Sequence, residues 1–232
     1  MHVPDGFLDA PTSIATGAVA VGAVAVALRK ANKELDERTA PMAGLVAAFI
    51  FATQMLQFPV GAGTSGHLIG GVLAAVLVGP WTALLCMSVV LLVQSLLFAD
   101  GGLTALGTNI ILMGLIPVAV GWLVFKVVTA IVRQRKGVAI GTATAALVSV
   151  PVAALGFVGL YEFGGTANIA LSTLLSAMIG WHVLIGVGEA VISGLAVSSV
   201  LAVRPDLVYA ARGAVAPPEL QIRSTRSEGA SS

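Results

Sequence analysis

Long apolar runs, separated by short polar or glycine-rich stretches, repeat along this chain. Read as helices, the runs fall at 12–30, 41–58, 67–79, 81–98, 108–130, 138–160 and 180–203. A helical membrane span takes about 20 apolar residues, and the third run is short for that. It is either strongly tilted or a half-helix entered from a loop that dips into the bundle. Between the sixth and seventh runs, residues 167–179 can add a short helix lying at the interface. The pattern predicts an all-α membrane protein, a seven-transmembrane-helix bundle over residues 1–204. Residues 205–232 turn to Pro, Ser, Arg and Glu and are expected to be a disordered tail.

Composition agrees with the pattern. Hydrophobic residues make up 57% of the chain and charged residues only 10%, with mean hydropathy +0.99; soluble domains carry about 25% charged residues. The single cysteine, Cys86, sits within an apolar run, so neither a disulfide framework nor a thiol metal cluster is available.

The placement of charge sets an orientation. All 12 Lys and Arg fall next to 31–40, next to 131–137, or in the C-terminal tail. Asp5, Asp9, Asp100 and Glu162 lie in the segments between, which carry no cation. The positive-inside rule then puts the N-terminus outside and the C-terminus in the cytoplasm. The opening MHVPDGFL has no cationic n-region and no cleavage site, so no cleaved signal peptide is expected and Met1 is expected to carry a free amine. Small residues four apart (Ala18 and Gly22, Ala23 and Ala27, Gly66 and Gly70, Ser172, Ser176 and Gly180) are candidate packing seams.

Three histidines are present: His2, His67 and His182. All are near the outer face in this topology. A histidine at position two is a chelator. The Met1 amine, the deprotonated His2 amide and the His2 imidazole can close two fused rings around one ion, and His67 can fill the fourth corner. Planar nitrogen donation suits Ni(II) or Cu(II), with Co(II) also accessible, and not the oxygen-seeking Mg or Ca. Pro4 and the Asp5-Gly6 turn can fold the tip back, with Phe7 and Leu8 as anchors. Thr64 or Ser65 can N-cap the third helix, which would put His67 in its first turn.

MHVPDGFL, QFPVGAGTSGHLIGGVLAAVLVGPW, DGGLTALGTNI, and HVLIGVGEAVISG followed by RPDLVY resemble the CbiM/NikM family. These are substrate-capture (S) components of energy-coupling factor (ECF) transporters for cobalt or nickel. The resemblance runs from residue 1 to about 210. It implies Met1, His2 and His67 as metal ligands, and Ni2+ or Co2+ as the transported ion, with no catalytic cofactor. It also implies partners: a membrane coupling (T) subunit, two cytoplasmic ATPase subunits and often a small accessory membrane subunit, all in a prokaryotic plasma membrane. The chain itself has no phosphate-cradling G-x-x-x-x-G-K-[ST] loop, so ATP hydrolysis is expected on other chains. Nothing points to nucleic acid.

Other polar positions complete the picture. Asp5, Gln57, Thr64, Ser65 and Asn109 are candidates to orient the ligating imidazoles. His182 and Glu189, seven apart on one face of the last helix, are candidates for a polar path or for conformational coupling, or for a structural hydrogen bond to a neighbouring helix. Two alternatives stand beside the capture subunit. One is a stand-alone secondary metal transporter. The other is a rhomboid-like intramembrane protease, in which His182 would activate Ser65 of GTSG.

Overall fold

The computed structural model describes residues 1–35, 40–61, 64–133 and 135–212. In chain order the elements are α1 (Ala10–Ala31), α2 (Ala40–Gln54), β1 (Phe58–Gly61), β2 (Thr64–Gly66), α3 (Gly71–Val78) and α4 (Pro80–Leu97). These are followed by α5 (Leu106–Ile131), α6 (Arg135–Gly164) and α7 (Leu171–Val203). Among the described residues, α1, α4, α5, α6 and α7 are long and apolar enough to cross a membrane. The chain is a mostly helical, multi-pass membrane protein.

Local chemistry sets several of these boundaries. Asp9 caps α1 by accepting from the Thr12 amide at 2.9 Å, and Pro11 sits in the first turn, where its missing N–H costs nothing. Gly79, at φ 96°, is the joint between α3 and α4. An added Cβ there would lie 2.6 Å from the Glu34 carboxyl group. That carboxyl accepts from the amides of Trp81 (3.2 Å) and Thr82 (2.7 Å), satisfying the open N–H groups at the start of α4.

Several expectations are corrected. The second helix stops at Gln54 rather than 58, and a short antiparallel strand pair, Phe58–Gly61 with Thr64–Gly66, lies between it and the third helix in an otherwise helical fold. The third helix starts at Gly71 and is preceded by Gly70 in the left-handed region at φ 82°. Thr64 therefore lies in β2 rather than at an N-cap, and His67 is in an irregular segment ahead of the helix. The last helix begins at Leu171, so 171–179 are part of it rather than a separate interfacial helix. At 33 residues it is about 50 Å long, longer than a bilayer core of about 30 Å. Residues 205–212 are not loose: they form two short 3-10 turns, and Val208 and Ala211 are buried. The rest of the expected tail, 213–232, lies outside the described residues. In α5 the stretch Ile110–Leu115 is π-helical, ahead of Pro117.

The small-residue seams are mixed. Gly70 is tightly packed, with Ile50 2.9 Å from where a Cβ would be, whereas Gly22 and Gly180 have nothing within 4 Å.

Hydrogen bonds sort the connections to two ends of the bundle. At one end the chain start meets the end of α6 and the α4–α5 loop, through Asp9 N–Gly164 O (2.7 Å) and Gly102 N–Val3 O (2.8 Å). At the other, Arg212 donates to the Glu34 carbonyl at 3.0 Å. Between them lies α3. All eight of its residues are buried, and it is only about 12 Å long. Irregular backbone at membrane depth is tolerated only inside protein, and the segment 67–70 leading into α3 meets that condition.

Candidate metal site

The first residues of the chain are built into the bundle. Met1 and Val3 are each 1% exposed. Val3 is held at both backbone groups by one side chain: its N–H donates to Asn109 Oδ1 at 2.8 Å and its carbonyl accepts from Asn109 Nδ2 at 3.1 Å. The expected turn is present, with Phe7 N donating to Pro4 O at 3.3 Å and Gly6 at φ 75°. Phe7 packs on Phe157 and Tyr161 with ring centroids 5.5 and 5.4 Å away, and Leu8 bridges to Gly165.

The loop DGGLTALG makes room for this tip. A Cβ on Gly102 would lie 2.3 Å from the Asp5 amide nitrogen, and one on Gly101, at φ 88°, 3.2 Å from His2 Cδ2. Both glycines are therefore required by close backbone approach. Gly102→Ala is expected to push the tip out of its groove and lower the Tm of the purified protein by several degrees, measured by thermal unfolding.

His2 and His67, 65 positions apart in the sequence, have ring centroids 4.6 Å apart at 31°. The hydrogen-bond pattern assigns each ring a tautomer. His67 Nδ1 lies 2.8 Å from the Leu68 carbonyl, which can only accept, so Nδ1 carries the proton and Nε2 the lone pair. His2 Nε2 lies 3.1 Å from the Gln94 side-chain amide; with Oε1 turned to the ring, Nε2 donates and the lone pair is on Nδ1. Those two lone-pair nitrogens, His2 Nδ1 and His67 Nε2, are buried and have no hydrogen-bond partner among the described residues. Asp100 Oδ1 lies 3.2 Å from His2 Nδ1. With that ring neutral, a carboxylate oxygen and a lone pair face each other, an arrangement that a cation would relieve.

Burial pushes the Met1 amine down to about 5, against the opposing field of Asp100. Burial, then the charge of that amine, push His2 down to about 4, opposed by Asp100 and by the bond to Gln94. Both groups therefore hold lone pairs rather than protons at neutral pH, as metal donors must.

The approach to α3 is fastened from two sides. Glu189 on α7 accepts from the Ile69 amide at 2.7 Å and the Gly70 amide at 2.9 Å, and Gln54 on α2 donates to the Ile69 carbonyl at 2.7 Å.

The other sequence candidates divide. Asn109 orients the tip rather than an imidazole. Gln57 donates to Asp100 Oδ2 at 2.5 Å and so supports the carboxylate beside His2. Asp5 turns away to the Thr104 amide (2.8 Å) and hydroxyl (2.6 Å), bonds that hold its carboxyl below the usual range. The side chains of Thr64 and Ser65 lie outside the described residues. His182 is fully buried in α7, with Nδ1 on the Met178 carbonyl at 2.7 Å. Gln94 and Asp100 escaped the sequence reading. The available signal was an amide inside the apolar run LLVQSLL and an acid opening a Gly-Gly loop. Among the described residues, no group of three or more His, Cys, Asp or Glu has metal-binding geometry.

The family model for the cobalt uptake substrate-specific transmembrane region, CbiM, matches residues 2–207. The chain belongs to the CbiM family. Among curated relatives of this CbiM-type chain, a putative fused nickel transport protein NikMN of Archaeoglobus fulgidus is 38% identical, covering 90% of this chain and 68% of its own. The cobalt transport protein CbiM of Sorangium cellulosum is 32% identical, covering 90% of this chain and 94% of its own. A crystal structure described as a truncated transition metal transporter is 32% identical and superposes with TM-score 0.81, covering 87% of this chain and 99% of that one. The chain is thus a membrane component of cobalt or nickel uptake of the CbiM/NikM type.

Proposed function

We propose that this CbiM-type chain is the substrate-capture subunit of an ATP-driven ECF importer, binding Ni2+ or Co2+ through the Met1 amine, the His2 amide nitrogen, His2 Nδ1 and His67 Nε2. The observation that carries it is the pair of buried, unpartnered imidazole nitrogens beside the buried chain start. Electrostatics supports a divalent ion. The amidate removes one of its charges, and the Asp100 carboxylate beside His2 offsets the other.

The binding end is assigned to the outside. The described Lys and Arg residues adjoin the opposite end, at 29–33, 126–136 and 204–212, and cations mark the cytoplasmic side. On this assignment the chain crosses seven times, with the segment 67–70 and α3 together forming the third crossing, and the prokaryotic plasma membrane is its location. A coupling T subunit and two ATPases would supply transport. The fused nickel transport protein NikMN of Rhodobacter capsulatus, 34% identical over 99% of this chain, supports a further small N-type membrane partner.

Titration of the purified, N-terminally untagged protein is expected to give one nickel per chain, with the absorption of a planar all-nitrogen complex. Since the His2 amide must lose its proton, affinity is expected to rise about tenfold per pH unit near neutrality. The Met1 amine and His2 titrate only near 5 and 4, so they compete with the metal only in acid. The dependence should therefore steepen as pH falls through about 5. Absence of nickel or cobalt binding, or a pH-independent affinity, would overturn the ligand set. Vesicles holding this chain alone should bind metal without accumulating it; accumulation would mark a stand-alone transporter.

A further inference from the structure

Glu189 occupies the interior of a membrane helix, where an ionisable side chain is costly and is retained for a purpose. Both of its oxygens are spent on backbone amides, those of Ile69 and Gly70. The first of these amides matters most. The Ile69 N–H and the Leu68 C=O belong to one peptide group. Glu189 Oε2 accepts from its N–H at 2.7 Å, and the opposite end of the same group accepts from His67 Nδ1 at 2.8 Å. Carboxylate, peptide and imidazole thus form one continuous hydrogen-bonded line ending at His67 Nε2, the buried nitrogen without a partner.

Two further contacts keep that peptide in place. Gln54 Nε2 fastens the Ile69 carbonyl. Gly70 adopts φ 82° with Ile50 pressed against its α-carbon, leaving no room for a side chain. The plane of the Leu68–Ile69 peptide is therefore set by α7 and α2 together, and the plane of the His67 ring is set by the peptide. In many metal sites a carboxylate accepts directly from the ligating histidine, fixing the ring and raising its basicity. Here the peptide group transmits the same influence, since hydrogen bonds in line polarise one another.

We propose that Glu189 is a positioning residue for the transported ion. It orients and polarises His67 through the Leu68–Ile69 peptide without touching the metal. The proposal rests on His67 being a ligand. It also gives α7 a direct handle on the site, because a shift of α7 relative to α3 would turn the ring that completes the coordination plane.

A double-mutant cycle with nickel as the probe tests it. Glu189→Gln loses the charge and one acceptor oxygen, and is expected to lower nickel affinity roughly 10- to 100-fold, with a shifted absorption band. In a His67→Ala background the same change should have almost no further effect on affinity, since coupled residues are non-additive. A general loosening of the fold would instead subtract the same amount in both backgrounds. Additive losses would overturn the proposal while leaving His67 as a ligand. Unchanged nickel binding in His67→Ala alone would overturn the ligand assignment and this proposal with it. Glu189→Asp, which keeps the charge but shortens the reach, passes through the same cycle if the Gln variant gives no folded protein, with the same non-additivity expected. Loss of folded protein in both variants would assign Glu189 to the fold alone and overturn the proposal too.

Discussion

Two residues, Gly-Ser, placed ahead of Met1 are expected to lower nickel affinity by about 1000-fold or more, while the metal-free protein still folds. The amine that closes the chelate becomes an amide, which has to lose its proton before it can bind the metal. Dividing the roughly 12 kcal/mol of a strong four-donor site among its donors puts that loss near 3 kcal/mol. The extension also has nowhere to go. Met1 and Val3 are each 1% exposed, inside the core beside Asn109 and the Gly101–Gly102 loop. Expelling them re-exposes two apolar side chains at about 1.5–3 kcal/mol each. Two residues are the cleaner test than one. A single added residue would put the histidine third, where an amine, two amidates and the imidazole can fill all four corners without His67. Retained nanomolar binding in the Gly-Ser variant, read by titration with a competing chelator, would remove Met1 and His2 from the site.

His67→Ala is the second large effect: about 100-fold weaker nickel binding, and a spectrum in which water or another weak-field donor replaces one nitrogen. One donor is lost, but the three on the chain start remain, so the decrease should be smaller than for the extension. Stability should move much less. A buried nitrogen without a partner costs the metal-free fold something of the order of 1–3 kcal/mol, and removing it offsets part of the cavity left by the ring. Thermal unfolding of the metal-free variant should therefore stay within a few degrees of the parent, while the metal-dependent rise in Tm largely disappears. A large drop in metal-free Tm with unchanged metal affinity would make His67 a core residue rather than a ligand.

Much of this was legible in the chain itself, for reasons that are local. A membrane span is recognised by composition over some 20 residues, so the runs that became α1, α4, α5 and α6 stand out without any tertiary information. Lys and Arg positions reveal the two ends of the bundle because crossing the membrane with them is costly. The proposed Met1-His2 chelate is an expectation drawn from adjacent residues: its three nitrogens are joined by covalent bonds, so no packing is needed to bring them within reach. The Asp5-Gly6 turn and the Phe7 and Leu8 anchors are equally short-range.

What the sequence could not give is decided by contacts across the bundle. Beyond Phe58 the apolar pattern reads as a break between helices; β1 and β2 are strands because they pair with each other. The start of α3 moved from 67 to 71 because Glu189, 120 residues later, takes the amide of Ile69, and Gly70 must adopt a left-handed turn against Ile50. Gln94 meets His2 across 92 residues, and Asn109 meets Val3 across 106. The sequence by itself determined a membrane bundle with its cations at one end and, at its start, a dipeptide carrying the nitrogens of the proposed chelate, since apolar length, charge and covalent proximity are properties of neighbouring residues. Only the tertiary structure decided that the His67 ring stands beside His2, with its Nε2 buried and without a hydrogen bond. A ring's direction depends on which distant groups hold its backbone, and here those groups come from two other helices, α2 and α7.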